Sequence, residues 1–478
     1  MKEIDHRQTF NHTQAASDHW LEQAMDLTTL FELPAYVQEA QRAALADYQN
    51  LAWPSIERVD YQSWPLIQTQ FTSAEATQQL LTYGVQAAIG GYDADQGAVN
   101  EQSADDKQSD EFGQTKQAQT KQSKTQASDP DLIQIVHAGN HTIYSSVPLH
   151  LQAQGVIVAD LFEAMNEYPD LVEAHLYSVV PALADKITAY QTAYLNGGVF
   201  IYIPDHCQPK ITVDALLLQD SRFNQAYNKR VLIVAGANSR LDYVERLQTE
   251  GSQANTATIT AEVIAGPGAK VSYCGVDNFN KNTTAYIKRY GQLANDATIN
   301  WALAAMNDGH TILDTDTYLN GQGSQSQLAI VAIATGDQIQ GIDAKVVNRG
   351  QHSVAHILQH GVIQGQATLT FNGIGLIEKH AKHADAQQES RLMMLSDQAR
   401  GDANPILLIE EFEVTAGHAA SVGQLDQQQL YYLMSRGLRR QEAEHLVVRG
   451  FLGSVLRAVE SPTLRDQLVA IIDHKLTQ

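Results

Sequence analysis

Residues 256–266 read TATITAEVIAG, a stretch in which every second residue is apolar. Side chains alternate between the two faces of a β-strand, so this pattern predicts a strand with one apolar face. The residues of that face are Ala257, Ile259, Ala261 and Val263. The opposite face carries Thr258, Thr260 and Glu262. The same period of two runs through most of residues 199–409, which favours a mainly β fold over alternating β and α units.

Turn signals separate these strand-like runs. They read GANS at 236–239, GPGA at 266–269, NGQG at 320–323 and NGIG at 372–375. Short strands joined by corners rich in glycine and asparagine fit either a β-solenoid or a β-sandwich. A solenoid must protect its open ends against edge pairing, and helical segments at both termini would do that.

Helical periodicity brackets the strand-rich region. Residues 15–50 carry apolar residues at helical spacing with an interruption at Pro34, and a shorter helix is predicted for 158–165. After His418 the pattern is helical to residue 478. We divide the chain into a helical region (1–92), a low-complexity insertion (93–130), a mixed α/β lead-in (131–198), a β core (199–424) and a helical C-terminal domain (425–478). The insertion has almost nothing to bury, so we expect it to be disordered.

Composition excludes several classes of function. The net charge is −22 over 478 residues, which argues against nucleic acid or an anionic membrane as the main partner. Cys207 and Cys274 are the only cysteines, so neither a disulfide framework nor a CxxC metal site is expected. No secretory signal and no run of about 18 apolar residues is present, and we expect a cytoplasmic protein without a membrane span.

The sequence lacks the motifs of the common enzyme classes. There is no GxxxxGK[ST] loop for ATP hydrolysis, no GxSxG elbow, no HExxH pair and no dinucleotide fingerprint. His352, His356 and His360 are spaced by four and could form a metal-binding stripe, although a strand would simply place them on one polar face. His380 and His383 form a second pair without a third ligand.

The stretch EEFEVTAGHAASVGQLDQQQLYYLMSRGL at 410–438 joins the strand-rich and helical parts. His418 lies among small residues and is either a satisfied core histidine or a ligand presented to a partner, since imidazole suits iron or zinc. Asp426 and Gln429 then match a capping box, and Gly437 matches a helix stop. The apolar stripe of this helix is Leu430, Leu433 and Met434.

Arginines concentrate in the C-terminal helices of this otherwise acidic chain. They are Arg436, Arg439, Arg440, Arg449 and Arg457. Two interpretations remain open, namely ordinary solvated charge or a docking surface for an acidic partner.

Several motifs together resemble the SufB/SufD family of the Suf iron–sulfur cluster assembly system. They are VTAGHAASVGQLDQQQLYYLMSRGL at 414–438, NGGVFIYIPD at 196–205, RVLIVAGANSRLDYVE at 230–245, HSVAHILQHGVIQGQATLTFNG at 352–373 and AKHADAQQESRLMMLSDQA at 381–399. Within the family the SufD type fits better, because Ser390 lies near the position where the SufB type carries a cysteine. Ala416 and Asn348 also stand where the family often has a cysteine and a histidine.

The resemblance implies a right-handed parallel β-helix between helical domains. It further implies a non-enzymatic scaffold subunit that pairs with a SufB-type subunit through the β-helix and with a SufC-type ATPase through the C-terminal helices. It admits a homodimer when the chain is isolated. No cofactor would be bound permanently, and a transient iron–sulfur cluster would form at the interface with the partner, with His418 as the interface residue and candidate metal ligand.

The resemblance also assigns an ATPase-docking segment. Its residues are Tyr431, Tyr432, Ser435, Arg436, Gly437 and Leu438. The alternative function is a cytosolic carbohydrate-active β-helix enzyme. Glycoside cleavage needs two acidic groups that face each other across a cleft, and Asp314 and Asp316 are the candidate pair.

Overall fold

The chain folds into two long, mostly parallel β-sheets, and the computed structural model describes residues 33–67, 132–222, 226–459 and 462–477. Sheet A contains β1 (Leu132–Ala138), β2 (His141–Ser146), β5 (Thr212–Asp220), β7 (Arg240–Glu250), β9 (Lys270–Asn278), β11 (Thr298–Ala305), β13 (Gln325–Ala334), β15 (Val354–Ile363), β17 (Asp385–Met394) and β19 (Thr415–Gln424). Sheet B contains β3 (Ile157–Asp160), β4 (Gly198–Ile203), β6 (Tyr227–Ala235), β8 (Asn255–Ala265), β10 (Thr283–Leu293), β12 (Thr311–Leu319), β14 (Ile339–Asn348), β16 (Thr368–Ile377) and β18 (Arg400–Ile409).

Successive strands of the core alternate between the two sheets. Each strand from β4 to β17 pairs in parallel with the strand two positions later, as β8 does with β10 and β15 with β17. The chain therefore winds as a parallel β-solenoid of about seven turns, which confirms the mainly β fold and decides against a sandwich. Strands β1 and β3 extend the two sheets into the lead-in, and the domain boundaries drawn from composition stay predictions.

Helices precede and follow the strands of the solenoid in sequence. They are α1 (Ala35–Asp47), α2 (Leu149–Gln152), α3 (Leu161–Glu167), α4 (Pro169–His175), α5 (Lys186–Ala193), α6 (Gln427–Ser435), α7 (Arg440–Leu456) and α8 (Pro462–Thr477). Those after β19 lie on the outer face of sheet A and leave β18 and β19 each with one edge that no described strand pairs, so the expected protection of this end by helices was wrong. Among these described helices, none combines the length and apolar composition that a membrane span needs. The low-complexity insertion and residues 15–32 of the first predicted helix lie outside the described residues.

The helix predicted for 158–165 begins later than expected. Residues 157–160 pair with β4 as the antiparallel strand β3, so the start at Val158 was wrong. The helix begins after Asp160, whose carboxylate accepts a hydrogen bond from the Phe162 N–H at 2.8 Å. Asp160 thus ends the strand and caps the helix, a double role that apolar spacing alone does not reveal.

The solenoid interior is filled by the apolar faces of both sheets. Ala257, Ile259, Ala261 and Val263 of β8 all lie in this core, as the alternation predicts. The opposite face of β8 is also buried, because the segment before α5 covers it. Glu262 there accepts hydrogen bonds from the Val179 and Val180 N–H groups, both at 2.9 Å, and pairs with the buried Arg230 at 2.7 Å. The lead-in is thereby fixed to the outside of sheet B.

A connector at residues 51–67 lies against the outer face of sheet B. Tyr61 packs on Tyr286 of β10 with ring centroids 5.8 Å apart, and the Trp53 ring lies edge-on to Tyr61 at 5.8 Å. On the outer face of sheet A, α7 and α8 cover an apolar surface formed by β7–β15. Both sheets are therefore covered on the outside over much of their length.

Candidate functional site

The solenoid ends in two edge strands, β18 and β19, with which no further described strand pairs. Large apolar side chains are exposed at this end. They are Leu408, Ile409, Phe412 and Val422, of which Phe412 is 98% exposed. A cluster of exposed apolar residues beside free strand edges is typical of a protein–protein contact. We refer to β18, β19 and residues 410–414 between them as the open end.

His418 lies in the middle of β19 and faces the solenoid interior at the open end. It pairs in register with Gln388 of β17, which is buried, and register partners point to the same face of a sheet. The His418 side chain is nevertheless exposed, because no further turn of the solenoid covers it. No hydrogen bond joins it to another described residue. His418 is therefore not a satisfied core histidine, and its imidazole is open to solvent at the end of the solenoid interior.

The backbone of β19 offers a row of free hydrogen-bonding groups. The N–H of Thr415 donates to Ala384 O at 2.9 Å and that of Leu425 donates to Met394 O at 3.1 Å. In a parallel ladder alternate residues bond to opposite neighbours, so the odd-numbered residues of β19 bond to β17. The peptide groups of the even-numbered residues, His418 among them, point away from the sheet. An added strand would therefore bond directly beside the imidazole.

Strand β18 has a different edge. Its even-numbered residues bond to β16, as the N–H of Arg400 does to Ala367 O at 3.0 Å and that of Glu410 does to Ile377 O at 2.9 Å. Pro405 occupies an odd, edge-facing position and has no N–H to offer. Proline in this place blunts an edge against pairing. Of the two strands, β19 is the one built to accept a neighbour.

The interior beneath the open end changes from apolar to polar. Along sheet A one inward column runs Trp301, Leu328, Ile357, Gln388 and His418. The column beside it runs Leu303, Ile330, Gln359, Ser390 and Ala420. The Ser390 hydroxyl donates to Gln359 Oε1 at 2.8 Å, and Gln388 Nε2 donates to the Ile406 carbonyl at 3.0 Å. Because unpaired buried polar groups are costly, these bonds hold the polar floor in place.

Three positions at which the resemblance would place ligands carry a serine, an asparagine and an alanine. Ser390 is buried and bonded, and Asn348 Nδ2 donates to Ser353 Oγ at 2.8 Å in the buried corner before β15. Ala416 lies two residues before His418 on the same face. Neither thiolate nor carboxylate therefore accompanies His418 at these three places.

Helix α6 follows directly from β19 and exposes two tyrosines. Asp426 caps it, as predicted, by accepting the Gln428 N–H at 2.8 Å, but no hydrogen bond among the described residues joins the Gln429 side chain to the Asp426 N–H, so the capping box was wrong. Gly437 follows the helix with a φ of +100°, as predicted. Tyr431 and Tyr432 are 76% and 56% exposed. The inner side of α6 packs on α7 through Leu430 and Leu433, with Ala443 and Val447 opposite.

The rest of the predicted docking segment is also on the surface. Ser435, Arg436 and Gly437 are exposed, and the Arg436 guanidinium lies over the Tyr432 ring at 5.1 Å. Leu438 is half-buried against the α6–α7 cluster. Met434 is exposed, so its assignment to the buried apolar stripe was wrong, because it lies on the outer side of the helix.

Three of the C-terminal arginines are neutralised by neighbours. Arg439 pairs with Glu442 at 2.7 Å, Arg440 with Glu444 at 2.8 Å, and Arg449 with Asp473. Solvated surface charge is the better interpretation of these three residues.

The histidine stripe does not converge into a metal site. His352 lies in a corner with φ of +56° and stacks on His383 at 4.8 Å, whereas His356 points outward from β15. His360 is buried and bonded to Phe451 O and Glu389. Within the described residues no group of three or more histidine, cysteine, aspartate and glutamate side chains could hold a metal ion. The metal interpretation of the stripe was therefore wrong.

The two cysteines and the two candidate catalytic aspartates are buried. Burial raises the pKa of the Cys274 thiol to about 12, which leaves it unreactive, and Cys207 is likewise buried. Asp314 and Asp316 lie side by side on the outer face of β12 and are 6% and 5% exposed. Burial raises the pKa of Asp314 to about 6, and the Tyr286 hydroxyl donates to it at 2.9 Å. They do not face each other across a cleft, so the enzyme alternative loses its acid pair.

Sequence comparison relates the chain to a family of known proteins. Residues 217–451 match the family model "SUF system FeS cluster assembly, SufBD core domain", and residues 132–214 match "SufBD protein N-terminal region". The iron–sulfur cluster assembly protein SufD of Bacillus subtilis (strain 168) is 42% identical over 334 residues, which is 69% of this chain and 76% of that protein. An iron–sulfur cluster assembly SufBD family protein of Staphylococcus epidermidis is 24% identical over 314 residues, or 66% of this chain and 67% of that protein.

Proposed function

We infer the function of this chain from its family, for it belongs to the SufBD family of iron–sulfur cluster assembly proteins, and we propose that it serves there as a SufD-type, non-catalytic scaffold subunit. The single observation that carries this proposal is the open end of the solenoid, where a free strand edge and an exposed imidazole coincide at His418. A scaffold needs a place where a second subunit and a nascent cluster meet, and this end offers one.

The partner at the open end is a SufB-type subunit. Strand β19 supplies unpaired N–H and C=O groups from its even-numbered residues, and Val422 and Phe412 supply apolar surface beside them. Strand addition gives affinity through main-chain hydrogen bonds and specificity through neighbouring side chains. In the absence of that subunit, a second copy of this chain would use the same edge and form a homodimer.

The iron–sulfur cluster is the cargo of this interface and not a resident cofactor. One imidazole at His418 cannot hold a cluster alone, and Ala416, Ser390 and Asn348 add no thiolate nearby. Clusters are held mostly by cysteine thiolates. His418 therefore contributes one ligand or one proton-accepting nitrogen, and the partner contributes the remaining ligands.

The second partner is a SufC-type ATPase that docks on α6. The chain itself has no phosphate-binding loop, so nucleotide hydrolysis belongs to that subunit. Tyr431 and Tyr432 present large aromatic surface with Arg436 stacked beside them, a composition typical of binding hot spots. The closed ATPase would then shift the conformation of the open end, because it binds one conformation of this chain more tightly than the other.

Affinity capture tests the proposed assembly. The tagged full-length chain, isolated from native lysate, is expected to retain both an ATPase and a SufB-type protein, identified by mass spectrometry. Tyr432→Ala should release the ATPase and leave the SufB-type protein bound, because the tyrosine lies on α6 and not on the free edge of β19. Capture of neither protein by the parent chain would contradict the proposal.

Replacement of His418 tests the cluster role. His418→Ala is expected to leave the complex assembled but to lower cluster formation in cells by roughly tenfold or more. Substitution of residues that support metal ligands in other metalloproteins has an effect of about this size. His356→Ala removes a half-buried imidazole from the outer face of β15 and serves as the matched control. Activity of an iron–sulfur enzyme in the same cells reports cluster formation. Equal activity in the His418 and His356 variants would remove the role assigned to His418.

A further inference from the structure

His360 joins the C-terminal helices to the solenoid at one point. Its ring is 2% exposed, with Nδ1 2.9 Å from the Phe451 carbonyl of α7 and Nε2 2.9 Å from Glu389 Oε1 of β17. The imidazole also stacks on the Phe451 ring, with centroids 4.9 Å apart and planes 20° apart. A single side chain of β15 thus contacts α7 and β17 together.

The chemistry of this contact fixes which atoms carry hydrogen. A backbone carbonyl and a carboxylate accept hydrogen bonds and do not donate them. His360 therefore makes both bonds only when both of its ring nitrogens carry hydrogen, and Glu389 then balances the charge. Glu389 is also bonded by Arg391 at 2.9 Å, and from the β13 side the register neighbour of His360 is the apolar Val331. Burial alone would raise the pKa of Glu389, but the His360 bond and the Arg391 charge lower it overall.

A second polar contact lies on α8, where buried Lys475 donates to the Met306 and Asn307 carbonyls just after β11, both at 2.7 Å, and pairs with Asp308 at 2.8 Å. The rest of the described contact between α7 and sheet A is apolar. Val448, Leu452 and Val455 of α7 pack against alanine, valine and isoleucine side chains of the sheet. Apolar contacts are non-directional, whereas hydrogen bonds weaken steeply when their angles change. The His360 bonds thus set where α7 rests along β17.

Strand β17 connects this point with the open end. Glu389 is flanked in sequence by Gln388 and Ser390, which form the polar floor, and Gln388 is the register partner of His418. Helix α7 also packs against α6, the proposed ATPase-docking helix. A continuous set of contacts therefore runs from α6 through α7, His360 and β17 to β19.

We propose that His360 is a positioning residue that holds α7 to β17 and thereby couples the ATPase-docking helices to the strand of His418. This proposal rests on the proposed function for the identity of the two ends, but the coupling itself is a property of this chain. Contiguity alone does not prove coupling, so the test measures both ends of the path.

Hydrogen–deuterium exchange of the full-length chain carries the test. His360→Phe keeps the ring on Phe451 and removes both bonds, and Glu389→Gln keeps the shape and removes the charge. Each variant is expected to raise the exchange rate about tenfold in the last turns of α7 and in those amides of β19 that bond to β17. The loss of one charge-assisted hydrogen bond changes an equilibrium constant by about that factor. His356→Gln, on the same face of the same strand, should exchange like the parent.

The pH dependence separates a charged joint from mere packing. The pKa of Glu389 is lowered in the folded chain, so its contribution is present above the ordinary carboxylate range and is lost as the pH falls through that lowered value. After correction for the intrinsic pH dependence of amide exchange, acidification should raise the exchange rate of α7 in the parent chain. The same acidification should change the exchange rate of α7 much less in the Glu389→Gln variant.

Two outcomes would overturn the proposal. Parent-like exchange of α7 in both variants would show that His360 does not hold the helix. Loosening confined to α7, with β19 unchanged, would show that the coupling does not reach His418. Because exchange is measured on the chain without partners, failure here leaves the affinity-capture result standing, and failure of the proposed function leaves this result standing.

Discussion

Replacement of Arg289 by methionine is expected to lower the free energy of unfolding by about 3–5 kcal/mol, because it leaves buried carboxylates without their counter-charge. Arg289 lies inside the solenoid, fully buried, with Nη2 2.7 Å from Glu245 Oε1 and 2.5 Å from Asp277 Oδ1. Burial alone would lower the pKa of Arg289, but the two carboxylates raise it well above its usual value. The three side chains therefore form one buried ionic unit across β7, β9 and β10.

The size of this effect depends on burial, and the chain supplies a control for it. Arg240 begins the same strand, β7, but points to the outer face, where its side chain is 45% exposed and pairs at 3.1 Å with Asp242, which is 29% exposed. Arg240→Met is expected to cost about 1 kcal/mol or less, as solvent-exposed pairs do. Urea unfolding followed by far-ultraviolet circular dichroism measures both.

Neutralising the carboxylates should recover part of the loss. Adding Glu245→Gln and Asp277→Asn to Arg289→Met removes the uncompensated charges, so the triple variant is expected to be more stable than the single one. Equal losses for Arg289→Met and Arg240→Met, or no recovery in the triple variant, would show that the buried unit is not what stabilises this part of the solenoid.

Alternation of apolar residues predicts most strands of this fold, as for residues 256–266, but it does not predict β10 and β12. Both carry charged residues, such as Lys288 and Asp314, which become buried beneath the connector at 51–67 and the lead-in. Alternation also cannot decide between a solenoid and a sandwich, because both have the same local period. Only the pairing of each strand with the one two positions later makes that choice.

His418 is identifiable from its neighbours in sequence, but the features that make it accessible are not. Whether its peptide group faces β17 or the free edge depends on the register of β19, which no local pattern encodes. Pro405 does carry a readable signal, since proline within a strand-like run indicates an edge strand. The role of His360 is not readable, because Phe451 lies 91 residues away in the chain.

Ala420→Pro is expected to weaken strongly the pairing of the chain with the SufB-type subunit that we propose as its partner. The N–H of Ala420 points to the free edge, so the substitution removes one hydrogen bond of an added strand and places the pyrrolidine ring in its path. A penalty of about 3 kcal/mol, as for proline in other hydrogen-bonded elements, corresponds to a roughly hundredfold weaker complex. A homodimer of the isolated chain should be lost as well.

The fold should survive this substitution because the bonds that hold β19 in place use other residues. Odd-numbered residues such as Ala419 and Ser421 bond to β17, and the ladder between the two strands stays complete. Ala420→Val is the matched control, since it adds bulk on the same inward side and keeps the N–H. Size-exclusion chromatography with light scattering, with and without the partner, measures association, and thermal unfolding checks the fold. If the proline variant associated as tightly as the valine variant, strand addition along β19 would be ruled out, and the apolar residues of the open end alone would have to hold the partner.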